Sequence, residues 1–482
     1  MSDFGSDDTL AQAIASWLPQ ARWFPAKTEA TPAVALVDRI PLPTAATCEV
    51  VVAETRSSEP AEGPRRFLLP VCWGKAGPVD AATDPAVASW IVTAAQSGQR
   101  AAGRTSSLVG TPVPVPAVPP ARDQPPPARI ASVSPLAADS SNTLVAVRHS
   151  DATGSILKLL RQIRPGIQPE VEIGRFLATD PLWRHTPRLR AALEWHSPGS
   201  EPAVVAVIHD EVRGAESLWD LLLRVLIASG SERLRDALMP TLMALGRVTA
   251  QMHQALAGER GDPAFGSEPW SAADRRAAAT AMTDHAEQVF HSLAATQQSL
   301  PAAAAAMLAN VLSHRDAWLA RLAMPAGSAW RSRRIRVHGD YHLGQVLFAE
   351  ETAGTSLEDR LLIIDFEGEP QRPLAERRLK RSAAKDVAGM LRSLDYLVRV
   401  AERERGEPLP ADTHDRLSGW FLGSYTATAE ASCFWPSDPT EARTLLELHC
   451  LEKAIYELAY EANNRPDWID VPLAALLAML DT

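Results

Sequence analysis

A proline-rich segment interrupts the N-terminal part of the chain and restricts what the sequence can fold into. Eight prolines lie close together in the 482-residue sequence, at positions 112, 114, 116, 119, 120, 125, 126 and 127. Proline fixes its φ angle and has no backbone N–H, so this density excludes a helix or a central β-strand. We predict an extended linker or surface loop at 111–130, and a plain spacer fits this composition better than a proline-rich ligand.

Length and charge exclude several classes of protein. A chain of 482 residues is too long for one ordinary hydrophobic core and predicts two or three domains. No apolar run approaches the ~20 residues of a membrane helix, so no membrane partner is expected. The net charge of −10 argues against nucleic-acid binding, which needs a basic surface. The N-terminus, MSDFGSDDTL, lacks a signal-peptide pattern, so a cytoplasmic location is expected.

The four cysteines suggest no covalent framework. They form no close pair in the sequence, at positions 48, 72, 433 and 450. Zinc sites and disulfide-rich domains both show characteristic short spacings, which this chain lacks. We therefore expect reduced and mostly buried thiols.

Apolar patterns divide the chain on either side of the spacer. Residues 1–110 predict a small α+β domain, with β-like runs at 33–37, 50–53 and 67–72 and a helix at 84–95. Residues 131–212 show strand, strand, helix and strand, at 143–148, 155–160, 169–177 and 203–208. Residues 213–482 are mostly helical, at 234–257, 273–325 and from 384 onward, with a β-like island at 335–348 and 361–366.

The most informative motif lies in that island, where HGDYHLGQVL occupies 338–347 and LLIIDFEGEP occupies 361–370. Phosphoryl transfer needs a carboxylate at the attacking hydroxyl and oxygen ligands that hold Mg²⁺ against the ATP phosphates. Asp340 would orient the hydroxyl and take its proton. Gln345 and Asp365 would supply the oxygen atoms that Mg²⁺ prefers.

Each residue of this motif has a structural alternative. Asp340 alone could bond its own backbone in a turn, and Asp365 alone could cap the following segment. His338 and His342 have the spacing of a helical zinc pair, but the glycine between them makes a helix doubtful. His338 is better interpreted as a hydrogen-bonding residue that shapes the loop. The residues together, in this order and spacing, favour phosphoryl transfer.

This pair of segments resembles the catalytic and metal-binding segments of maltokinases, within the aminoglycoside-phosphotransferase-like kinases. The resemblance implies an α+β, bilobal protein-kinase-like fold with a small N-terminal α+β cap domain. The cap would be 1–110, the N-lobe 131–212, and the mostly helical C-lobe with the sugar pocket 213–482. It also implies that Asp340 is the catalytic base, that Gln345 and Asp365 bind Mg²⁺, and that ATP is the phosphoryl donor.

The resemblance extends to the nucleotide site. Lys158 lies in the apolar run ILKLL, where a charge is costly without a partner, although an edge-strand lysine facing solvent would look the same. The stretch PGIQPEVEIGRFL at 165–177 is similar to the maltokinase pattern that retains the second acid, which pairs Lys158 with Glu172. Ser141 and Asn142 resemble the polar loop over the ATP phosphates, and a simple turn would read the same.

The segment EKAIYELAYEANNRPDW at 452–468 is close to the maltokinase signature at the maltose pocket. The resemblance implies that it contacts sugar through Lys453, Tyr456, Glu457, Asn464 and Trp468. Aromatic faces beside polar groups suit a sugar ring and its hydroxyls. A solvated helix face with i, i+4 charge pairs is the structural alternative.

Three further segments complete the resemblance. AKDVAGMLRS at 384–393 is similar to the helix after the metal site, in which Asp386 would brace the catalytic loop or simply cap the helix. RWFPAK at 22–27 resembles the opening segment of the cap. The chain differs at Tyr341, where an aliphatic residue is usual, and a tyrosine beside the base could change the acceptor.

The sequence therefore predicts a kinase that transfers phosphate from ATP to a small-molecule sugar, maltose by resemblance, giving maltose 1-phosphate. A kinase for glucosamine or an aminoglycoside is the first alternative, because Glu457 and Glu461 could pair with an ammonium group. A non-catalytic kinase-like protein that binds nucleotide or sugar is the second, although the full set of catalytic groups argues against it.

Overall fold

The structure, a computed structural model, describes residues 6–21, 23–24, 33–43, 48–56, 64–74, 77–114, 130–136, 142–151, 153–228, 234–350 and 355–480. The chain divides into two compact units. The first contains Met1–Pro181 and Pro187–Arg213, and the second contains Leu182–Thr186 and Gly214–Thr482. Most of the proline-rich segment lies outside the described residues.

The described residues of the first unit form two antiparallel sheets. The four-stranded sheet has the order β1-β2-β3-β4, with strands Ala33–Pro41, Cys48–Arg56, Arg65–Gly74 and Gly77–Asp80. The seven-stranded sheet has the order β5-β6-β10-β11-β9-β8-β7. In chain order its strands are Arg100–Ala102, Ser107–Pro112, Ile130–Pro135, Thr143–His149, Gly154–Leu159, Leu189–His196 and Ala203–Asp210. In the described residues of this unit three α-helices accompany the sheets: α1 Asp7–Trp17, α2 Pro85–Ser97 and α3 Pro169–Leu177.

Helix α2 joins the two sheets into one hydrophobic core. Ile91 of α2 packs in the same buried cluster as Val50 of β2, Leu157 of β9 and Trp195 of β10. The opposite face of the four-stranded sheet packs against α1, where Leu10 lies in a second cluster. Burial of both faces explains why β2 and β3 read as continuous apolar runs rather than as alternating patterns. The ranges expected for the cap and for the N-lobe thus share a core within the first unit.

The sequence patterns located six of the eleven strands described in this unit and missed β4, β5, β6, β7 and β10. The missed strand β10 has the sequence LRAALEWH, whose alanines and leucines favour a helix. It is a strand because β6 and β11 pair with it on either side, which is tertiary context that overrides local propensity. The strands β5 and β6 lie almost wholly within the range expected for the cap, yet they belong to the N-lobe sheet.

The expectation of four reduced thiols was wrong for two of them. Cys48 and Cys72 form a disulfide across 24 residues of sequence. The two residues are direct partners in the antiparallel register of β2 and β3. Sequence spacing does not predict such a pair, because strand register rather than sequence distance brings the sulfur atoms together. Cys433 and Cys450 are free.

The carboxylate of Asp38 in β1 fastens the cap sheet to the loop before β6. Its two oxygens accept hydrogen bonds from the backbone N–H groups of Arg39, Arg104, Thr105 and Ser106 and from the hydroxyl of Ser106, at 2.6–3.1 Å. Burial alone would raise the pKa of Asp38, but these hydrogen bonds lower it overall. Asp38 is thus a buried charge whose partners are supplied by the fold.

The second unit is mostly helical, and its described strands form one small sheet in the order β12-β13-β14. The strands are Glu216–Ser217, Val346–Phe348 and Leu361–Ile363. The helices of this unit are α4 Leu218–Ala228, α5 Leu234–Leu256, α6 Ala272–Thr296, α7 Ala302–Ser313, α8 Arg315–Ala323, α9 Leu374–Arg377, α10 Ala384–Arg405, α11 Thr413–Ala429, α12 Pro439–Asn464 and α13 Asp470–Ala478. Helix α12 packs against both α10 and α6. No helix within the described ranges combines the length and apolarity that a bilayer crossing requires.

The β-like island is only partly strand. Of the predicted run at 335–348, the paired strand β13 contains Val346–Phe348. The preceding residues are irregular, apart from a bridge at Ile335 and a 3₁₀ turn at Leu343–Gln345. Gly339 has a φ of 88°, a left-handed conformation that interrupts any strand at this point. The loop carries the motif residues, so the local departure from regular structure coincides with the candidate chemistry.

Candidate functional site

The loop at 338–345 is held by a buried carboxylate from α10. Asp386 accepts hydrogen bonds from the backbone N–H groups of His338, at 2.7 Å, and Gly339, at 2.9 Å. The ring of His253 donates to the same carboxylate at 3.1 Å. The side chain of Asp386 makes no capping hydrogen bond at the start of α10. Its contacts therefore fit the interpretation that Asp386 braces the loop. Burial alone would raise the pKa of Asp386, but hydrogen bonding and charge from His253 lower it.

His338 ties the same loop to the chain that follows β14. Its Nε2–H donates to the carbonyl oxygen of Ile364 at 2.9 Å, and its ring lies 4.8 Å from the ring of Phe366. The ring of His342 accepts a hydrogen bond from the backbone N–H of Gly344. Both histidines therefore shape the loop, as expected for His338.

Asp340 projects from this braced loop and is only partly enclosed. The Nζ of Lys453, on α12, lies 2.9 Å from its Oδ1, and 19% of the Asp340 side chain is exposed. Burial tends to raise the pKa of Asp340, but the charges of Lys453, His342 and His338 hold it well below its usual range. Asp340 is therefore an ionised carboxylate at neutral pH, with a cation on one side.

Gln345 and Asp365 lie together next to this loop. The side-chain amide of Gln345 donates to Oδ2 of Asp365 at 3.1 Å. Asp365 has a φ of 67°, the one positive value among non-glycine residues in the described part of the chain. Such strain is typical of functional positions, where the surrounding fold imposes it. A carboxylate beside an amide oxygen fits Mg²⁺, which takes oxygen ligands.

A short excursion of the chain supports the strand that precedes Asp365. Residues Leu182–Thr186 group with the second unit although their neighbours in sequence do not. The backbone N–H of Ile363 donates to the carbonyl of His185 at 2.8 Å, and the hydroxyl of Thr186 donates to the carbonyl of Ile363 at 2.7 Å. These bonds fix the end of β14 and, through it, the backbone at Asp365.

A network of buried charges adjoins Lys453, and the sequence patterns did not reveal it. Glu369 pairs with Arg372 and, at 3.1 Å, with Lys385. Glu452 pairs with Arg372 at 3.3 Å, with Lys385 at 3.5 Å and with the ring of His449 at 2.9 Å. EGEP in the motif and EK in the C-terminal signature contain two of these carboxylates, but nothing in the spacing shows that they share cations.

Helix α12 brings some of the predicted sugar contacts to Asp340. The Nζ of Lys453 also lies over the ring of Tyr456, at 4.6 Å from the centroid. Glu457 accepts two hydrogen bonds from the guanidinium of Arg392, at 3.0 and 2.8 Å. Burial raises the pKa of Glu457, although Arg392 opposes the change. Glu457 therefore has a partner on α10 already.

The other two predicted contacts lie further along. Eleven residues separate Lys453 from Asn464, which corresponds to about 16 Å of helical rise. The side chain of Asn464 donates to the carbonyl of Tyr460 at 2.9 Å, and the ring of Trp468 is covered by Arg403 at 4.4 Å. Only an acceptor longer than a monosaccharide would reach from Asp340 to them, and their role in sugar binding stays a prediction.

Tyr341 does not face the acceptor side. Its ring is 1% exposed, and its hydroxyl lies 2.9 Å from the hydroxyl of Thr249 on α5. The expectation that this tyrosine could alter the acceptor was therefore wrong, because the loop turns its side chain into the helical core. Adjacent residues in an irregular loop point in different directions, which sequence order alone does not show.

The first unit carries the candidate phosphate-binding lysine. Lys158 in β9 is 7% exposed, and its Nζ lies 2.9 Å from Oε2 of Glu170. The ring of His209 in β11 donates to Oε1 of the same carboxylate at 3.1 Å. Burial would raise the pKa of Glu170, but the charges of Lys158 and His209 lower it.

This ion pair corrects the pairing expected from the sequence, which passed over Glu170 in favour of Glu172. Glu170 lies in the first turn of α3, where the helix dipole favours an acid, and it is buried, whereas Glu172 is half-buried. Side chains two residues apart on a helix point to different faces. The packing of α3, which a pattern match does not show, decides which of the two acids faces Lys158. Asn142 is half-buried just before β8, and Ser141 lies outside the described residues.

Two family models match parts of this chain. Residues 17–103 match the family model of the maltokinase N-terminal cap domain, and residues 132–368 match that of the phosphotransferase enzyme family. A glucosamine kinase of Streptacidiphilus jiangxiensis is 29% identical over 287 residues, 58% of this chain and 59% of that protein. The chain thus matches less than two thirds of that relative's length.

Two more relatives extend the likeness. A glucosamine kinase of Mycolicibacterium smegmatis is 28% identical over 356 residues, which cover 72% of this chain and 79% of that protein. The solved structure of a glucosamine kinase in complex with glucosamine, ADP and inorganic phosphate is 21% identical, with a TM-score of 0.63. That superposition covers 99% of both chains and shows a common fold.

Proposed function

We propose that this chain, in which 17–103 match the maltokinase N-terminal cap domain and 132–368 match the phosphotransferase enzyme family, is an ATP- and Mg²⁺-dependent sugar kinase. The observation that carries this proposal is Asp340. Its carboxylate stands on a loop braced by Asp386 and lies 2.9 Å from a cation, with part of its surface open. A carboxylate held in this way can orient an acceptor hydroxyl.

The reaction forms a bond between the acceptor oxygen and the γ-phosphorus of ATP and breaks the bond between that phosphorus and ADP. Asp340 would orient the hydroxyl and receive its proton. Since the transition state of phosphoryl transfer is loose, the proton leaves late, and a low-pKa carboxylate serves mainly to orient. Lys453 would offset the negative charge on the transferred group, and Lys158, held by Glu170, would bind the nucleotide phosphates.

Gln345 and Asp365 are the residues that would hold Mg²⁺. Their side-chain oxygen atoms suit Mg²⁺, and the hydrogen bond from the Gln345 amide to Asp365 keeps the two groups adjacent. When bound, the ion would supply charge neutralisation for the ATP phosphates. The chain's own contribution is to keep the two side chains adjacent.

The buried charges around Lys453 favour a neutral acceptor, for which maltose is our first candidate. Glu369, Glu452 and Glu457 each already pair with arginine, lysine or histidine. An ammonium group that pairs with any of these three carboxylates would have to displace a cation, and breaking a buried pair is costly. Sugar hydroxyls require no such exchange. The C-terminal signature resembling maltokinases supports the same choice, with maltose 1-phosphate as the product.

Glucosamine is the second candidate, because the two relatives from Streptacidiphilus and Mycolicibacterium carry the name glucosamine kinase. An aminoglycoside would be recognised through the same kind of ammonium pairing. In either case the chemistry at Asp340 would be unchanged and only the acceptor contacts would differ. The alternative of a kinase-like protein without turnover requires that the complete set of charged groups serve binding alone.

A cytoplasmic location, where ATP is made, belongs to this proposal, although few disulfides persist there.

The deciding experiment is ADP release from ATP and Mg²⁺ with maltose, glucose, glucosamine and kanamycin as acceptors. We expect selective turnover with maltose in wild-type protein and its loss in Asp340→Asn. Preferential turnover with glucosamine or kanamycin would support kinase activity and show that maltose is not the preferred acceptor. Absence of turnover with every acceptor, in protein that still binds ATP, would contradict the proposal and favour the binding protein.

A further inference from the structure

We propose that His285, on α6, is an acceptor-binding residue that hydrogen-bonds a hydroxyl of the sugar positioned at Asp340. This inference rests on the proposed kinase function and assigns a residue to its acceptor site. His285 belongs to no motif, because it lies in an alanine-rich helix that carries no sequence signal. Its assignment comes from three features of the second unit.

The first feature is its position beside the groups that flank the base. The ring of His285 lies against the ring of Tyr456, with 6.2 Å between centroids and 34° between planes. The ring of Tyr456 in turn lies under the Nζ of Lys453, and that Nζ is 2.9 Å from Oδ1 of Asp340. A continuous row of side chains therefore runs from α6 across α12 to the candidate base.

The second feature is an unused polar atom. The Nε2 of His285 is enclosed and has no hydrogen-bond partner among the described residues. A buried polar group without a partner is destabilising, and native proteins keep such groups chiefly where a ligand, an ion or water completes them. Elsewhere in the same unit the buried histidines His253 and His338 use their nitrogens for protein contacts. His285 differs from them in having a nitrogen left over.

The third feature is the charge around the ring. The groups that act on His285 are Arg372 and Lys385, which are positive, and Glu369 and Glu452, which are negative. Burial, together with the arginine and lysine, lowers the pKa of His285, so the imidazole is neutral at pH 7. A neutral imidazole nitrogen can donate to or accept from a hydroxyl group. A neutral imidazole therefore suits a sugar hydroxyl better than a charged imidazolium would.

The test compares His285→Phe with His291→Phe. Phenylalanine preserves the ring contact with Tyr456 and removes the nitrogens, and His291 is an exposed residue of the same helix. We expect His285→Phe to raise the KM for the preferred sugar about 10-fold, since one hydrogen bond to a substrate hydroxyl is lost. The KM for ATP and the urea midpoint should stay near wild type. His285→Gln, which offers an Nε2 amide, should recover part of the loss, and His291→Phe should have no effect.

An unchanged sugar KM in His285→Phe would overturn the inference, and so would an equal rise in the KM for ATP, which indicates a structural role. The kinase proposal fails separately, when wild-type protein releases no ADP with any acceptor. Calorimetry with maltose and with glucosamine then decides the point for His285. Sugar binding to wild type that is lost in His285→Phe supports the inference, and absence of sugar binding to wild type overturns it.

Discussion

Asp38 in the cap and Asp340 in the helical unit are both carboxylates with lowered pKa values, but their surroundings differ. Asp38 is 3% exposed, and five hydrogen bonds from backbone and hydroxyl donors use both of its oxygens. Asp340 has one cation at one oxygen and keeps part of its surface open. The first carboxylate is completed by the fold, and the second is left for a ligand. Completeness of hydrogen bonding, rather than burial or pKa, separates a structural acid from a functional one.

The largest expected effect is on turnover in Asp340→Asn. We expect kcat to fall about 10³-fold, because the hydroxyl loses its orienting and proton-accepting group. The urea midpoint should change little, since the fold does not depend on this side chain for hydrogen bonds. Steady-state kinetics and an unfolding curve on the same preparation test both statements. A large decrease in the urea midpoint of Asp340→Asn would mean that Asp340 stabilises the fold as Asp38 does.

The converse substitution, Asp38→Asn, should reduce stability and spare turnover. An amide NH₂ would replace one accepting oxygen and face backbone N–H donors, at a cost of about 3 kcal/mol in unfolding free energy. Hydrogen exchange at residues 104–106 should accelerate, while kcat per folded molecule stays near wild type. Asp84→Asn is the matched control. It caps α2 through bonds to two backbone N–H groups, and asparagine caps equally well, so a change within about 0.5 kcal/mol is expected.

Wild type and Asp38→Asn together also give a pH test. The folded-state pKa of Asp38 is lowered, so its stabilisation is fully present above the unfolded-state pKa of about 3.9 and is lost as the pH falls through the folded-state value. The difference in unfolding free energy between wild type and Asp38→Asn should be constant from pH 6 to 8. It should decrease below about pH 4. A difference that grows with acidity would contradict the hydrogen-bonding account.

Glu170 is buried like Asp38, but its partners are charged side chains, as the partner of Asp340 is. We expect Glu170→Gln to raise the KM for ATP about 10-fold, since Lys158 loses the partner that orients it. Glu172→Gln should stay within about threefold of wild type. Initial rates at varied ATP concentration measure both. A larger effect in Glu172→Gln would restore the pairing expected from the sequence.

The smallest effects are expected at the far end of α12. Asn464 bonds its own helix, and the ring of Trp468 is covered by Arg403, so both resemble the completed groups of the cap. With glucose or glucosamine as the acceptor, Asn464→Ala and Trp468→Ala should leave the acceptor KM within about twofold of wild type. A larger change seen only with maltose would show that the second ring reaches them.

The sequence was most informative where chemistry and order coincide. Asp340, Gln345 and Asp365 lie in two compact segments whose residue types and spacing indicate phosphoryl transfer, and the role of each residue stays a prediction. The helices α3 and α10 begin where the patterns placed them, because their apolar periodicity and start signals are local. The chain belongs in the fold class that the resemblance implied.

The sequence was insufficient where packing decides. Cys48 and Cys72 meet through strand register, Glu170 lies on the face of α3 that Glu172 does not share, and Tyr341 turns away from its neighbour Asp340. His285 lacks any sequence signal, because its relation to Tyr456 depends on how α6 packs against α12. In each case the decisive quantity is a side-chain direction, which residue order does not encode locally.

The most direct test of the account is the stoichiometry of transfer. Wild-type protein, ATP, Mg²⁺ and maltose would be followed by ³¹P NMR, with Asp340→Asn in parallel. The account predicts one phosphorylated sugar for each ADP formed in wild type and neither product in the variant. Phosphorylated glucosamine but not maltose would retain the mechanism and replace the acceptor. ADP formed with free phosphate alone, or equal transfer by Asp340→Asn, would contradict the role of Asp340 in sugar phosphorylation.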